Sequence, residues 1–299
     1  MIDLQYFSPE EEIYNSLFED KKVNLFIKRD DLIHPFISGN KWRKLKYTLR
    51  KAQSESKNHL VTFGGAYSNH LLATACAAAK FGFKSTGIVR GEEVQNHTLL
   101  LCKLFGMSLM FTDRDSYRDK QNIFNEQFAS DKNSFFIAEG GSGMEAIRGC
   151  SEIISELDQS YDHIFCASGT GSTAAGILTG LQQSNYAARL HSVPVLKNGT
   201  FIKVEIESYF DNPPSFDLHP GYHFGGYAKT TSELLAFIKE FAGGTGVLLD
   251  PVYTGKMMFA LFDLIEQDFF EPGSKILAIH TGGLLGLLGM SDRLNTASG

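Results

Sequence analysis

The chain has 299 residues, of which 43% are apolar and 21% charged, which is ordinary globular composition with apolar surface for one large domain or two modest ones. A net charge of −6, without a Lys/Arg stripe interleaved with aromatics, argues against a nucleic-acid partner. The opening Met1-Ile2-Asp3-Leu4-Gln5 is no leader, and no run approaches the roughly 18 apolar residues of a membrane span, so a soluble cytoplasmic protein is expected. Cys76, Cys102, Cys150 and Cys166 are far apart and form no CxxC, so they are read as buried free thiols in a reducing compartment.

Taken in chain order, apolar runs rich in β-formers at residues 23–27, 60–63, 86–89, 109–111, 135–138, 163–167, 247–249 and 275–279 predict strands. Between most of them lie stretches of helical length and period, at 69–80, 98–105, 145–157, 173–181, 232–241 and 256–266. Strand alternating with helix predicts parallel sheets covered on both faces, and hence an α/β fold. Residues 187–227 break the rhythm with Pro194, Pro213, Pro214 and Pro220, and an isolated strand is predicted at 201–206. No repeat or shift in composition marks a domain boundary.

Four segments carry residues suited to chemistry. The first is Lys28-Arg29-Asp30-Asp31-Leu32 followed by Ser38-Gly39-Asn40-Lys41-Trp42-Arg43-Lys44-Leu45. Gly39 gives a turn, Asn40 can cap a helix, and Lys41 then stands in the first helical turn, at the positive end of the dipole. That placement lowers an amine's pKa, as attack on an aldehyde requires. A solvated basic helix start fits the same residues.

The second is Thr62-Phe63-Gly64-Gly65-Ala66-Tyr67-Ser68-Asn69-His70, a strand ending in glycines before a helix. Ser68 and Asn69 there either receive a carboxylate at a helix N-terminus or merely cap it. The third, Ser168-Gly169-Thr170-Gly171-Ser172-Thr173-Ala174, repeats the pattern with hydroxyls and curled backbone that suit a phosphate dianion. No Asp or Glu follows about twenty residues on, as a dinucleotide site needs, and no Gly-Lys-Ser/Thr follows, as a P-loop needs. The fourth comprises Asp250-Pro251-Val252-Tyr253-Thr254-Gly255-Lys256 and His280-Thr281-Gly282-Gly283. Tyr253 is a proton donor or acceptor there if its pKa is lowered, and Thr281 offers a neutral hydroxyl. No metal site is expected, because Pro220 and Gly221 preclude the helix that would align His219 with His223. No Gly-x-Ser-x-Gly elbow is present.

These four segments, in this order over nearly the whole chain, resemble the pyridoxal-phosphate family of 1-aminocyclopropane-1-carboxylate deaminase and D-cysteine desulfhydrase. The resemblance implies a tryptophan-synthase-β-like fold of two open, mostly parallel sheets, with a small domain at 45–149 inserted between large-domain parts 1–44 and 150–299. The cofactor, pyridoxal 5'-phosphate, then lies in the cleft between them. Residue by residue, Lys41 matches the family's Schiff-base lysine, Lys44 a phosphate-side lysine, and Asn69 the amide beside the cofactor's phenolic oxygen. Ser68 matches the serine near the substrate carboxylate and reacting carbon, while Gly169, Thr170, Gly171, Ser172 and Thr173 match the phosphate cup. Tyr253 and Tyr227 match two tyrosines near the substrate, and Thr281 a partner of the pyridine nitrogen.

Departures from the family bear on the reaction. Cyclopropane-opening members have Glu where this chain has Thr254, and Gln where it has Tyr67. The desulfhydrase branch resembles this chain at Tyr-Thr-Gly-Lys and His-Thr-Gly-Gly. A hydroxyl from Thr281 cannot hold the pyridine nitrogen protonated, which suits β-elimination better than ring opening. The span 187–223 is also shorter than the family's equivalent and has its own proline-rich sequence. The expected activity is therefore that of a deaminating lyase, a D-cysteine desulfhydrase-like α,β-elimination on a small amino acid giving a keto acid and ammonia, with sulfide from cysteine; the resemblance also implies a homodimer. Ring opening of 1-aminocyclopropane-1-carboxylate is the alternative. A β-replacement synthase, which the Asp-Pro-Val-Tyr turn argues against, and a binding protein whose pocket Tyr67 blocks are further alternatives.

Overall fold

The computed structural model describes residues 2–296. Its strands are β1 (Glu10–Ile13), β2 (Asn24–Lys28), β3 (His59–Gly65), β4 (Lys84–Arg90), β5 (Ser108–Thr112), β6 (Ser134–Ile137), β7 (His163–Ser168), β8 (Arg189–Pro194), β9 (Asp217–Leu218) and β10 (Lys275–Ile279). Its helices are α1 (Ser16–Lys21), α2 (Asn40–Ser54), α3 (Asn69–Phe81), α4 (His97–Leu104), α5 (Lys120–Phe128), α6 (Met144–Ser155), α7 (Ser172–Ser184), α8 (Phe201–Glu207), α9 (Ser232–Thr245), α10 (Thr254–Glu266) and α11 (Ser291–Thr296). One sheet runs β1-β2-β10-β7-β8-β9 and the other β5-β4-β3-β6. Every pairing is parallel except β1 with β2. The interior residues of β3 and β4 are buried on both faces, as parallel strands covered by helices on each side require. This is the two-sheet α/β architecture expected from the sequence.

Two expected strands are absent. Residues 201–206 alternate apolar with polar, yet they form α8, because Ile202 and Ile206 fall four apart and bury together beside α7. Val204, in the same phase of the apparent alternation as those two, is exposed, as is Phe201. Residues 247–249 pair with no strand; Val247 and Leu249 are buried in an extended segment leading into the Asp250 turn. Conversely, β8 was hidden by its polar His191-Ser192 and terminal Pro194, and β1 and β9 by their shortness. All four cysteines are buried free thiols.

Close helix packing sets the frame for the site. A Cβ on Gly149 of α6 would lie 1.8 Å from the Arg43 carbonyl oxygen of α2, and one on Gly176 of α7 would lie 2.3 Å from Cys150 Cβ of α6. Three helices are thus drawn together by residues without side chains. Arg43, itself buried, reinforces the arrangement through Asp30 at 2.7 Å and Glu156 at 2.8 Å. The N-terminus of α2 is thereby held in register with that of α7.

Candidate active site

Gly39, rather than Asn40, is the N-cap of α2, with φ 59° and ψ −135°. Any Cβ there would lie 2.0 Å from the Thr281 carbonyl oxygen, which also accepts the Asn40 N–H at 3.3 Å. Both the positive φ and this contact require glycine. The Asn40 side chain, freed from capping, bridges two predicted site residues: its Nδ2 donates to Thr173 Oγ1 at 3.0 Å and its Oδ1 accepts from Lys41 Nζ at 2.9 Å.

Lys41 is partly buried, and its amine is pushed down to about 7, first by burial and then by the neighbouring Lys44 ammonium. Lys44 is buried and its pKa is likewise lowered by burial. Its Nζ donates to Gly140 O at 3.4 Å, and a Cβ on Gly140 would touch Thr170 Cγ2 at 3.4 Å, which places Lys44 on the side of the 169–173 turn. That turn leads into α7, whose N-cap Gly171 has φ 77° and leaves room for Ile206 of α8. Thr170 and Ser172 hydroxyls lie 3.3 Å apart, and Ser172 and Thr173 are buried. First-turn N–H groups lacking intrahelical acceptors, hydroxyls and a lysine together make a cup that could receive an anion.

Ser68 caps α3 by accepting the Leu71 N–H at 3.3 Å, so the capping role weighed from sequence is real. Asn69 faces the 281–283 turn, since a Cβ on Gly283 would lie 2.8 Å from its Nδ2. Lys41, Asn69, Ser38, Gly283, Leu72 and Leu285 are among the residues around one cavity of about 120 Å³. Tyr67 does not line that cavity; its ring is exposed and lies against Gly289.

Tyr253 meets the cup at Gly169, where a Cβ would lie 3.4 Å from the phenol oxygen. Its ring packs edge-on to Tyr227, with centroids 6.0 Å apart. Burial and the Tyr227 phenol push the Tyr253 pKa well up, so the lowered value considered from sequence is corrected. Tyr253 is a neutral hydroxyl that can donate a proton, not a phenolate. The Asp250 carboxylate accepts from Val252 N at 2.9 Å, Tyr253 N at 3.1 Å and Thr254 N at 2.8 Å, so it organises the turn beneath the phenol.

Three contributors escaped the sequence reading. His70 is buried and neutral, with Nε2 2.8 Å from Thr62 Oγ1 and an Nδ1 that has no protein partner. Lysines 41 and 44 both lower its pKa, so the orphan nitrogen belongs to the same neighbourhood. His280 Nε2 donates to Leu248 O at 2.6 Å while Nδ1 accepts from Gly282 N at 3.2 Å, fixing the turn that follows it. Lys256 is buried, and its Nζ donates to His223 O and Gly226 O, both at 2.8 Å. Only the residue type marks any of them in the sequence, because Thr62, Leu248 and the carbonyls around Lys256 are brought to them by the fold.

An amine with a lowered pKa, a cup for a dianion, an orphaned polar nitrogen and neutral hydroxyls fit pyridoxal phosphate, which presents an aldehyde, a phosphate and a phenolic oxygen. The model for the family described as pyridoxal-phosphate dependent enzyme matches residues 13–282. A putative 1-aminocyclopropane-1-carboxylate deaminase of Thermotoga maritima is 33% identical, over 98% of this chain and 99% of its own. The bifunctional D-cysteine desulfhydrase/1-aminocyclopropane-1-carboxylate deaminase of Arabidopsis thaliana, a mitochondrial protein, is 32% identical, over 93% of this chain and 76% of its own. The crystal structure of an ACC deaminase homologue superposes with a TM-score of 0.87 at 29% identity, covering 99% of this chain and 95% of that one. Site geometry and similarity agree, and the chain belongs to the pyridoxal-phosphate dependent enzyme family.

Proposed function

We propose that this chain is a deaminating lyase that releases a β-substituent from a small amino acid, as D-cysteine desulfhydrase does, yielding a keto acid and ammonia. Bound pyridoxal phosphate supplies the electron sink for loss of an α-proton. Lys41 holds the cofactor, and its Nζ is the base for that proton. Lys44 and the 169–173 cup hold the phosphate, Asn69 the phenolic oxygen and Thr281 the pyridine nitrogen. Ser68 and the α3 N-terminus receive the substrate carboxylate, and Tyr253, with Tyr227 against it, donates a proton.

The observation that carries elimination over ring opening is the state of Thr254. Its hydroxyl is buried and turned back on Asp250, accepting from Asp250 N at 2.8 Å and donating to Oδ1 at 3.1 Å. The residue after Tyr253 thus brings no acid or base to the substrate. Ring opening of 1-aminocyclopropane-1-carboxylate remains the second reading, favoured by the name of the Thermotoga relative, while the Arabidopsis relative carries both activities in its name. The same reading assigns 45–149 to a small domain inserted between 1–44 and 150–299, and describes a cytoplasmic homodimer, which sedimentation tests. The strands of the four-stranded sheet all fall within 59–137, which supports the division.

The test is a panel of D- and L-amino acids with the cyclopropane substrate, followed by keto-acid, ammonia and sulfide release. Pyruvate and sulfide from D-cysteine are expected to dominate. Turnover of the cyclopropane alone would overturn the elimination reading. Lys41→Ala is expected to lose activity by several orders of magnitude and the borohydride-reducible absorbance of the holoenzyme.

A further inference from the structure

Lys256 lies in the first turn of α10, three residues after Tyr253, and its side chain is fully buried. Its Nζ donates to His223 O and Gly226 O, both at 2.8 Å, and reaches Val195 O at 3.5 Å. All three acceptors are backbone carbonyls, and among the described residues Lys256 forms no salt bridge. Burial pushes its amine down to about 8 against the opposing pull of Asp250, which leaves it largely charged at neutral pH. A buried ammonium without a carboxylate is a costly way to fill space, and an apolar side chain of the same length would fill it more cheaply.

What the ammonium holds is a strained loop. Phe224, Gly225, Gly226 and Ala228 have φ of 50°, 91°, 117° and 54°. The two that are not glycine cost on the order of 1 kcal/mol each or more, and such conformations persist only when surrounding contacts over-determine them. Tyr227 sits inside this run, with its ring against Tyr253. The start of α10 therefore supplies one tyrosine directly and grips the loop that supplies the other.

We propose that Lys256 is a positioning residue, whose buried ammonium binds the carbonyls of Val195, His223 and Gly226 and thereby sets Tyr227 against Tyr253. Its effect on turnover rests on the functional reading above; its effect on the loop does not. An ammonium surrounded by carbonyl oxygens at 2.8 Å has the surroundings of a potassium ion, so the space left by a truncated side chain is a site that potassium can enter and choline cannot.

The experiment compares the wild-type, Lys256→Met and Lys256→Ala holoenzymes in potassium chloride and in choline chloride at equal ionic strength. It reads kcat and KM on the best substrate of the panel, together with the rate of tryptic cleavage after Lys229, mapped by mass spectrometry. Lys256→Met should lose at least tenfold in kcat with a smaller change in KM, and should be cleaved after Lys229 at least tenfold faster in either salt. Lys256→Ala should behave likewise in choline and recover both properties in potassium. Lys229 protected as in wild type in both variants would overturn the proposal, as would a wild-type kcat in Lys256→Met. Should both variants fail to fold, Gly226→Ala disturbs the same loop from its other end, where the new Cβ would meet Lys197 at 3.3 Å. It should reproduce the kcat loss and the faster cleavage, and wild-type values for both would reject the role. If the chain turns over no amino acid, the functional reading fails while the proteolysis arm still decides the inference.

Discussion

At the scale of single residues the site depends on one amine being uncharged. An ordinary lysine is almost wholly protonated at neutral pH, whereas Lys41, at about 7, offers roughly a thousandfold more free amine. Both causes, burial and Lys44, disfavour the ammonium, so the free-amine fraction rises with pH through about 7 and not through the usual lysine range. In cofactor-free protein, the initial rate of pyridoxal phosphate capture, followed by visible absorbance, should therefore be half-maximal near pH 7. Lys44→Gln removes one of the two lowering causes and should move that midpoint upward, while its weaker anion binding lowers only the plateau. An unmoved midpoint in Lys44→Gln would show that burial alone sets the amine. Much at this scale was legible in the sequence, because a glycine turn before a helix is local chemistry: Lys41, Ser68 and the 169–173 turn each stand where their own neighbours put them. His70 and Lys256 were not, since His70 reaches from α3 back to Thr62 of β3, and the partners of Lys256 are carbonyls some 30 to 61 residues away.

At the scale of elements, the relation between Lys41 and the anion cup is set by how closely α2, α6 and α7 approach. Gly176→Ala would place a methyl 2.3 Å from Cys150 Cβ and 2.9 Å from Ile147 O, where one contact is rigid backbone. Overpacking of this kind costs typically 1–3 kcal/mol, and a shift of α7 should also weaken cofactor binding. The control is Gly243→Ala on α9, where a Cβ meets nothing within 4 Å and φ is not positive; it should be neutral or stabilise by about 0.4–1 kcal/mol. Urea midpoints and cofactor titrations of the two variants check the contrast, and equal effects would deny the packing argument. Element type was readable wherever period and length agreed, as for α3, α7 and α10. It failed at α8, where β-branched residues alternate over a stretch whose burial is decided by Ile202 and Ile206 docking beside α7. It failed again at β8, whose His191 and Ser192 are buried only because neighbouring strands supply Ser168, His163 and His219 as partners.

At the scale of the whole molecule, those same histidines predict how the large sheet responds to acid. His163, His191 and His219 form a hydrogen-bonded row across β7, β8 and the residue following β9, with Nδ1 of one ring 2.9 and 3.0 Å from Nε2 of the next. His191 lies in register with Phe165 of β7, three residues and about 10 Å along the strand from Ser168, so the row belongs to the scaffold and not to the site. Phe165 stacks on His191 with centroids 4.4 Å apart, and Phe269 and Phe270 close the other sides. Asp217 favours protonation and Arg189 opposes it, but burial dominates and pushes His191 down to about 3; His163 and His219 are also lowered, chiefly by burial. In the unfolded chain each ring takes up a proton near pH 6.5, whereas the folded chain refuses it until much lower pH. The unfolded state then binds more protons between these limits, so stability is complete above about pH 6.5 and falls as the pH drops toward the folded value. For fully buried His191 the loss between pH 7 and pH 5 is about 2 kcal/mol, in a window where ordinary carboxylates stay ionised. Urea midpoints should accordingly fall across that interval, and His191→Leu, while less stable at pH 7, should show a shallower fall. An unchanged slope in the variant would mean that His191 is protonated in the folded sheet, and would require its two ring neighbours to be rearranged.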